Sequence, residues 1–339
     1  MGAGGANVAS GGSFSAIFSN PAGLARIPAQ YGWEFQALNL SGAFNDDVND
    51  LSDIMDAADE SEAALSAVLD DMVGTRIHLG VSAVPFSMAK KFKKYAFGAG
   101  VVTSVNGGVA VHQGFGSQGM LEINTLATAG AAFGLAHDIN GLKIGRYVLN
   151  RLSVGYGAKA MGYGALSKTF SAAELADENF EMDDELKEGA SVVADLGMIY
   201  NVTPRFTVGA SALNIGGIGE GDMEIPMTIN AGVAYTYEVE KRVFFKRVRL
   251  SADYIDIAQG YEDESFIKRT RLGADLNIWD GWASSFALQT GIYQGEFTAG
   301  LSLRLAVLEL AVATYAEEMG AYGGQDPDRR TVASFGINW

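Results

Sequence analysis

Three histidines, His78, His112 and His137, are the side chains best suited to acid–base or metal chemistry in this 339-residue chain. None has the company such chemistry needs. A phospholipase-type barrel site requires a histidine beside a serine nucleophile, with a polar partner to orient the ring. The residues that follow are Leu-Gly, Gln-Gly and Asp-Ile, with no His-x-Ser. No zinc spacing occurs, and without cysteine neither a disulfide nor a thiolate metal site can form. Gly155-x-Gly157 and similar pairs lie within alternating stretches rather than ahead of a helix, so they are not phosphate loops. The expectation is a protein without catalytic residues, metal or cofactor.

What remains is a set of isolated charges in apolar, alternating surroundings. Leu272, Ala274, Leu276 and Ile278 share one face of a stretch whose other face carries Arg271 and Asp275. Arg304 opposes Leu301, Leu303 and Leu305 in the same way. Identical parity separates Lys159 from Tyr156, Asp195 from Leu196, Glu122 from Leu121 and Asp253 from Tyr254. A charge facing lipid at mid-depth would cost roughly 2–4 kcal/mol. Glu122, Lys159, Asp195, Asp253, Arg271, Asp275 and Arg304 therefore read as polar residues lining a lumen. A soluble sandwich, apolar side inward, would produce the same alternation. Chain length, strand count and the chain end favour the membrane.

The elements that must carry these residues are strands. Period-two alternation marks fourteen, at 31–43, 75–86, 95–112, 119–136, 148–165, 189–202, 205–215, 225–238, 247–259, 268–278, 285–294, 296–305, 307–316 and 330–339. The number is even, as single-chain bacterial barrels require. With a periplasmic N-terminus, the connections 44–74, 166–188 and 317–329 fall outside and are the longest. The 203–204 connection and the turn near Leu305–Val307 fall inside and are short. Helical spacing appears only near 48–73 and 170–187. The last strand closes on Phe335-Gly336-Ile337-Asn338-Trp339, whose final aromatic suits an interfacial girdle, and the four Trp (33, 279, 282, 339) fall near strand ends.

Composition agrees. The apolar fraction is 48%, yet no run approaches the ~20 residues a membrane-spanning helix needs, which excludes a helical membrane protein. Glycine, 43 residues, alternates with large apolar residues, which puts small residues on one face of a wall. A net charge of −16 argues against nucleic acid as a partner. Between Arg26 and Arg76 there are acids but no Lys or Arg; a solvated loop face is the plain reading, and divalent cations bridging anionic lipid head groups the sharper one. Lys90-Lys91-x-Lys93-Lys94 and the pairs Lys241-Arg242 and Lys246-Arg247 fall on connections assigned to the periplasm. They read as solvated turns or as a docking surface for an acidic periplasmic protein. Met1 leads straight into Gly-Ala-Gly-Gly with no signal peptide, so a mature or trimmed chain is expected.

Residues 1–30 do not alternate. Glycines there permit tight, left-handed backbone, while Pro21 and Pro28 forbid a continuing ladder. A compact, irregular plug inside the barrel fits these constraints, with residues 31–339 forming the wall. Gly-Gly-Ala-x-Val-Ala-Ser at 4–10, followed by Ala16-Ile17-Phe18-x-Asn20-Pro21-Ala22-Gly23-Leu24, resembles the FadL/TodX-type outer-membrane superfamily. The stretches 195–200, 209–216 and 291–301 resemble its PorV-like branch. Gly-Gln-Asp-Pro-Asp-Arg-Arg at 324–330 resembles its TraF-like branch.

That resemblance implies an all-β, fourteen-stranded antiparallel up-and-down barrel in the outer membrane of a Gram-negative bacterium. An N-terminal hatch, its turn held by Asn20, Pro21 and Ala22, would plug the lumen. Long-chain fatty acids or hydrocarbons would enter from outside and leave sideways through a kink in the third strand. Asn106-Gly107-Gly108 lies in that strand, where it reads either as the kink or as a hairpin turn. Arg271, Arg304 and Lys159 are candidate lumen cations; their plainer use is pairing with Asp275, Glu309 and Asp195. The other role the resemblance allows is a PorV- or TraF-like barrel that docks proteins in secretion or conjugation. A continuous apolar pocket between hatch and wall, with a gap at 106–108, would go with transport. A filled lumen would go with docking. Implied partners are a hydrophobic ligand, outer-membrane lipids and a periplasmic or secretion-system protein.

Overall fold

The computed structural model describes residues 1–27, 33–114, 119–140, 142–144, 147–149, 151–175, 186–219, 224–239, 245–261, 265–281 and 283–339. Fourteen strands form one closed barrel: β1 Trp33–Asn45, β2 Arg76–Phe92, β3 Tyr95–Gln113, β4 Gly119–Ile139, β5 Leu152–Ser171, β6 Lys187–Asn201, β7 Phe206–Ile215, β8 Thr228–Glu238, β9 Arg247–Tyr254, β10 Thr270–Asp280, β11 Ser284–Tyr293, β12 Glu296–Leu305, β13 Leu308–Glu318 and β14 Pro327–Asn338. Each pairs antiparallel with its sequence neighbour, and β14 returns to pair with β1. A separate two-stranded hairpin, Leu142–Ile144 with Tyr147–Leu149, sits in the connection between β4 and β5.

Closure leaves no unpaired edge, so every wall segment can satisfy its backbone in a solvent that offers no hydrogen bonds. The faces divide as alternation requires. Leu79, Val101, Leu135, Leu196, Leu272 and Leu301 are exposed on the outside, while Lys159, Asp195, Asp253 and Arg271 are buried within. An apolar exterior around a polar interior is the inverse of a soluble sandwich and is the arrangement of a membrane-spanning barrel. Trp33 stacks on Phe35 at 5.4 Å, and Phe35 on Trp339 at 6.1 Å, forming an aromatic strip at the strand ends. The C-terminal residue is tied down by reciprocal backbone bonds, Trp339 N to Phe35 O at 2.9 Å and Phe35 N to Trp339 O at 2.8 Å. Trp282, Pro28, and Lys241 and Arg242 lie outside the described residues, as do 176–185 of the second expected helical insertion.

Connections are long at one end and short at the other, with two departures from the expected lengths. The 255–269 connection is longer than the sequence suggests, because β9 stops at Tyr254. Asp256 there adopts a left-handed φ of 53° and accepts from Gly260 N at 2.8 Å and Tyr261 N at 3.0 Å, a side-chain turn that competes with the ladder. The 317–329 connection is shorter than expected, since β13 and β14 extend into it. The first long connection folds as α1 Asp50–Glu60 and α2 Glu62–Asp71, with the Ser61 hydroxyl capping α2 by accepting from Ala64 N at 3.1 Å. Leu65 and Leu69 pack with Ile77, Val111 and Leu121. Strand register puts those three on outward faces, so the helices brace the outside of β2–β4 rather than cover the lumen.

Candidate functional site

The lumen is occupied by the first 27 residues, and the site is the contact between this segment and the wall. The segment turns at Gly4, Gly5 and Gly12, all with left-handed φ, and then forms two 3₁₀ turns, Phe14–Phe18 and Pro21–Arg26. Asn20 caps the second turn with Pro21 at its first position, a place where a missing N–H costs nothing. The Asn20 side chain is fully buried. It accepts from Ala22 N at 3.1 Å and donates to Val8 O at 2.8 Å, Met198 O at 3.1 Å and Ala210 O at 3.2 Å. Met198 and Ala210 belong to β6 and β7, so one amide stitches both arms of the segment to the wall.

The wall receives the segment on glycine. Inward-facing glycines come in register-paired runs: Gly98, Gly134 and Gly157 on β3–β5, Gly155 with Gly197 on β5–β6, Gly209 with Gly232 on β7–β8, and Gly273 with Gly291 on β10–β11. A methyl at Gly155 would sit 2.1 Å from Ala22 N, at Gly197 2.0 Å from Asn20 Oδ1, and at Gly209 2.4 Å from Val8 O. At Gly273 it would lie 2.3 Å from Ala3 O. Only a bare backbone lets the segment's own backbone come this close. Sequence reasoning missed this belt as a site. The signal for it is present, since these glycines share the parity of the lumen charges.

Side chains that alternation placed in the lumen divide between fastening the segment and bracing the wall. Asp253 accepts from Val8 N at 2.8 Å. Lys159 and Asp195 form a buried pair at 3.1 Å, extended by Lys159 Nζ to Asn214 Oδ1 at 2.7 Å and Asn214 N to Asp195 Oδ1 at 2.8 Å. The ammonium lies 5.7 Å from the Phe18 ring, so this pair forms part of the segment's seat. Two expected pairings are replaced. Arg271 stacks at 3.8 Å on Tyr293 and donates to Thr270 O, whereas Asp275 accepts from Gln289 at 3.3 Å. Arg304 faces Asp280 at 3.6 Å, and Glu309 instead accepts from the Asn338 amide. Glu122 sits towards the long-loop end, bound to His112 at 2.6 Å and to Asn124 at 2.6 Å. Thr298 and Ser211 are further fasteners that sequence reasoning missed. Thr298 Oγ1 donates to Gly2 O at 2.9 Å and accepts from Gly4 N at 3.1 Å; Ser211 Oγ donates to Ser19 O at 2.8 Å.

Around β2–β4 the contact changes character. Phe14, Ile17 and Leu24 pack on inward alanines 89, 96, 132 and 136, with Val84 and Val102 at the margin. The polar ties on this side are Phe14 N to Glu34 Oε1 at 3.0 Å and Lys91 Nζ to Ala25 O. Beside the cluster lies Pro85, where both flanking ladders miss a step. The β1–β2 pairing passes from Gln36–Ser87 to Asn39–Val84, and the β2–β3 register shifts between Ala83 and Phe86. Asn106, Gly107 and Gly108, by contrast, pair in unbroken register with both β2 and β4. The irregularity expected there is neither a gap nor a turn. It lies instead on β2, because proline supplies no N–H to the ladder.

Towards the long-loop end the lumen opens and is polar. Ser41 bonds Ser82 at 2.7 Å, Ser104 bonds Thr128 at 2.9 Å and Ser167 bonds Asn124 at 2.6 Å, while inward-facing Asn106 and Ser167 are exposed. Among the described residues no continuous apolar pocket runs between segment and wall.

Residues 17–247 match the family model described as the F plasmid transfer operon TraF protein. No curated protein sequence matches. In fold, the chain is similar to the Ralstonia pickettii toluene transporter TbuX, at TM-score 0.58 and 13% identity over 100% of this chain and 97% of that one. It is similar to the Pseudomonas putida toluene transporter TodX, at TM-score 0.57 and 12% identity over 100% and 97%. The monoaromatic hydrocarbon channel CymD follows at 0.56 and 13% over 99% and 95%. The fold is thus that of FadL-type barrels.

Proposed function

The chain belongs to the F plasmid transfer operon TraF family, and from that premise we propose that it is an outer-membrane barrel that carries hydrophobic small molecules past a movable N-terminal hatch. The long-loop end faces outside and the short-turn end the periplasm. One observation carries the reading. The apolar core of the hatch meets the wall at Pro85, where the ladders on both sides of β2 are incomplete. A hydrophobic ligand that displaces Phe14 there would exchange apolar contact for apolar contact and meet an interrupted stretch of the wall beside it. The polar vestibule and the absence of an apolar channel among the described residues describe a closed state. Toluene transporters of the same fold support a ligand of that polarity, a class that includes both fatty acid and hydrocarbon. Asn20, Pro21 and Ala22 hold the hatch turn, and Asp253 fastens its first arm.

A second reading, docking of proteins in conjugation or secretion, is favoured by the filled lumen and by the family's association with plasmid transfer. The readings separate on ligand. Lipid extraction of the purified barrel followed by mass spectrometry is expected to recover an apolar molecule, and Phe14→Ala to raise uptake of a labelled monoaromatic probe by cells. Recovery of no hydrophobic ligand at any occupancy, with uptake equal to that of cells lacking the barrel, would sink the carrier and leave docking.

A further inference from the structure

At the short-turn end a cavity of about 360 Å³ opens between the end of the N-terminal segment and the wall. Three cationic residues, Arg26, Lys91 and Arg151, line it with a single carboxylate among the described residues, Asp138. That carboxylate is already engaged, by Lys91 Nζ at 2.8 Å and Ser153 Oγ at 2.7 Å. Among the described residues the acceptor Arg26 reaches is neutral, the Asn201 amide oxygen, which also accepts from Thr207 at 3.2 Å. Its Nε is buried without a hydrogen-bond partner among the described residues. Burial holds the Arg26 guanidinium below the usual arginine value; Asp138 opposes that shift and Arg249 adds to it. A buried guanidinium nitrogen left unpaired is costly, and the group that satisfies guanidinium best is a planar or tetrahedral oxyanion.

Arg151 sharpens the case. It holds a left-handed backbone (φ 69°), which is uncommon for a residue with a side chain. Two hydrogen bonds keep it there, Arg151 N to Asn140 Oδ1 at 3.1 Å and Asn201 N to Arg151 O at 3.3 Å. Asn201 therefore positions both arginines, one through its side chain and one through its backbone. None of the ion pairs among the described residues includes either arginine.

We infer that this cavity binds one small oxyanion, a carboxylate or phosphate group, between Arg26 of the hatch and Arg151 of the wall. Such an ion bridges the moving part to the fixed part at the periplasmic mouth, and the site stands whether the barrel carries ligands or docks proteins. The anion is either free or the head of an amphiphile, and two probes distinguish these sources.

The test is isothermal titration of the whole barrel in a non-ionic detergent at constant ionic strength, with inorganic phosphate and with monobutyl phosphate. Saturable binding is expected, weakened about tenfold in Arg26→Gln and in Arg151→Gln, the loss expected of one charge-assisted contact. Arg26→Lys, which keeps the charge, should recover part of it. Arg205→Gln removes a cation that instead lies over Tyr237 and should bind as the parent does. Tighter binding of the butyl ester assigns the site to a head group, and equal or tighter binding of phosphate to the free ion. Non-saturable uptake of heat, or an equal loss in Arg205→Gln, overturns the site. Heat-modifiable gel migration confirms that each variant is a folded barrel, and Arg151→Gln, outside the hatch, guards against a merely unseated plug.

Discussion

The two flanks of the N-terminal segment are held by different physics. On the β5–β12 flank it is fastened by directional bonds: Asn20 to Met198 O and Ala210 O, Asp253 to Val8 N, Thr298 to both Gly2 and Gly4, and Ser211 to Ser19 O. Glycines bring the backbones within reach of those bonds. On the β2–β4 flank it is held mainly by Phe14, Ile17 and Leu24 against alanines. Buried directional bonds need partners of matched geometry, which an apolar guest cannot supply. Apolar contact is non-directional and can be replaced by any apolar guest. If the segment moves as proposed, the first flank is its hinge and the second its seal, and the incomplete ladders beside Pro85 lie on the seal.

The largest effect should come from crowding the hinge. Gly155→Val places a branched side chain where even a methyl lies 2.1 Å from Ala22 N. Overpacking of this kind typically costs about 1–3 kcal/mol, more when backbone must move. The expected outcome is a barrel that still migrates as folded but whose N-terminal segment is cut by protease and whose conductance in a planar bilayer rises. A protected segment and unchanged conductance would mean that the belt is not a seat.

Asn20→Ala comes next. It removes a cap worth about 0.5–2 kcal/mol and takes away the one amide that the carbonyls of Val8, Met198 and Ala210 share. Loss of segment protection with retained barrel migration is the predicted result. Asp253→Asn should be milder, about 1 kcal/mol, because the amide oxygen can still accept from Val8 N without the charge, read as a lower midpoint for heat modification. If Asp253→Asn proves as damaging as Asn20→Ala, the hinge is centred on the first arm rather than on the 3₁₀ turn.

Much of the wall is legible in the amino-acid pattern. Fourteen strands, the inward parity of Lys159, Asp195, Asp253 and Arg271, and the paired Lys159–Asp195 all follow from period two and the cost of a charge in lipid. The seat is less legible. Asn20-Pro21-Ala22 announces a turn, but its acceptors, Met198 O and Ala210 O, lie 178 and 190 residues away, and no local pattern encodes them. The break in ladder pairing falls on β2 rather than at Asn106-Gly107-Gly108 for a physical reason. Asn-Gly-Gly only permits irregular backbone, whereas Pro85 forbids a regular ladder, and a prohibition outweighs a permission. The termination of β9 likewise depends on the turn that Asp256 builds with its own side chain, a choice that alternation cannot register.

Phe14→Ala tests the seal. Truncating a buried phenylalanine in a soluble core costs about 3–5 kcal/mol, yet here the loss should leave the hinge intact. The expected phenotype is selective, with higher flux of an apolar probe and a segment still protected on its β5–β12 flank. A general loss of protection would erase the distinction between the flanks.

The smallest effect is expected at Gly107, and it bears on where the wall can part. A methyl there meets nothing nearer than Thr125 Oγ1 at 3.6 Å, an ordinary contact, and φ is not left-handed. Ladder pairing to Leu79 and Thr125 is complete on both sides. Replacing glycine by alanine at a compatible site lowers the entropy of the unfolded chain, worth about 0.4–1 kcal/mol in favour of the fold. Gly107→Ala should therefore leave flux unchanged and raise the heat-modification midpoint slightly. A fall in flux of an apolar probe from Gly107→Ala, in a barrel of parental stability, would move the exit from Pro85 back to the third strand. Flux that responds to Phe14 and not to Gly107 would keep it on β2, where the hatch is bound by the interaction an apolar guest can most easily replace.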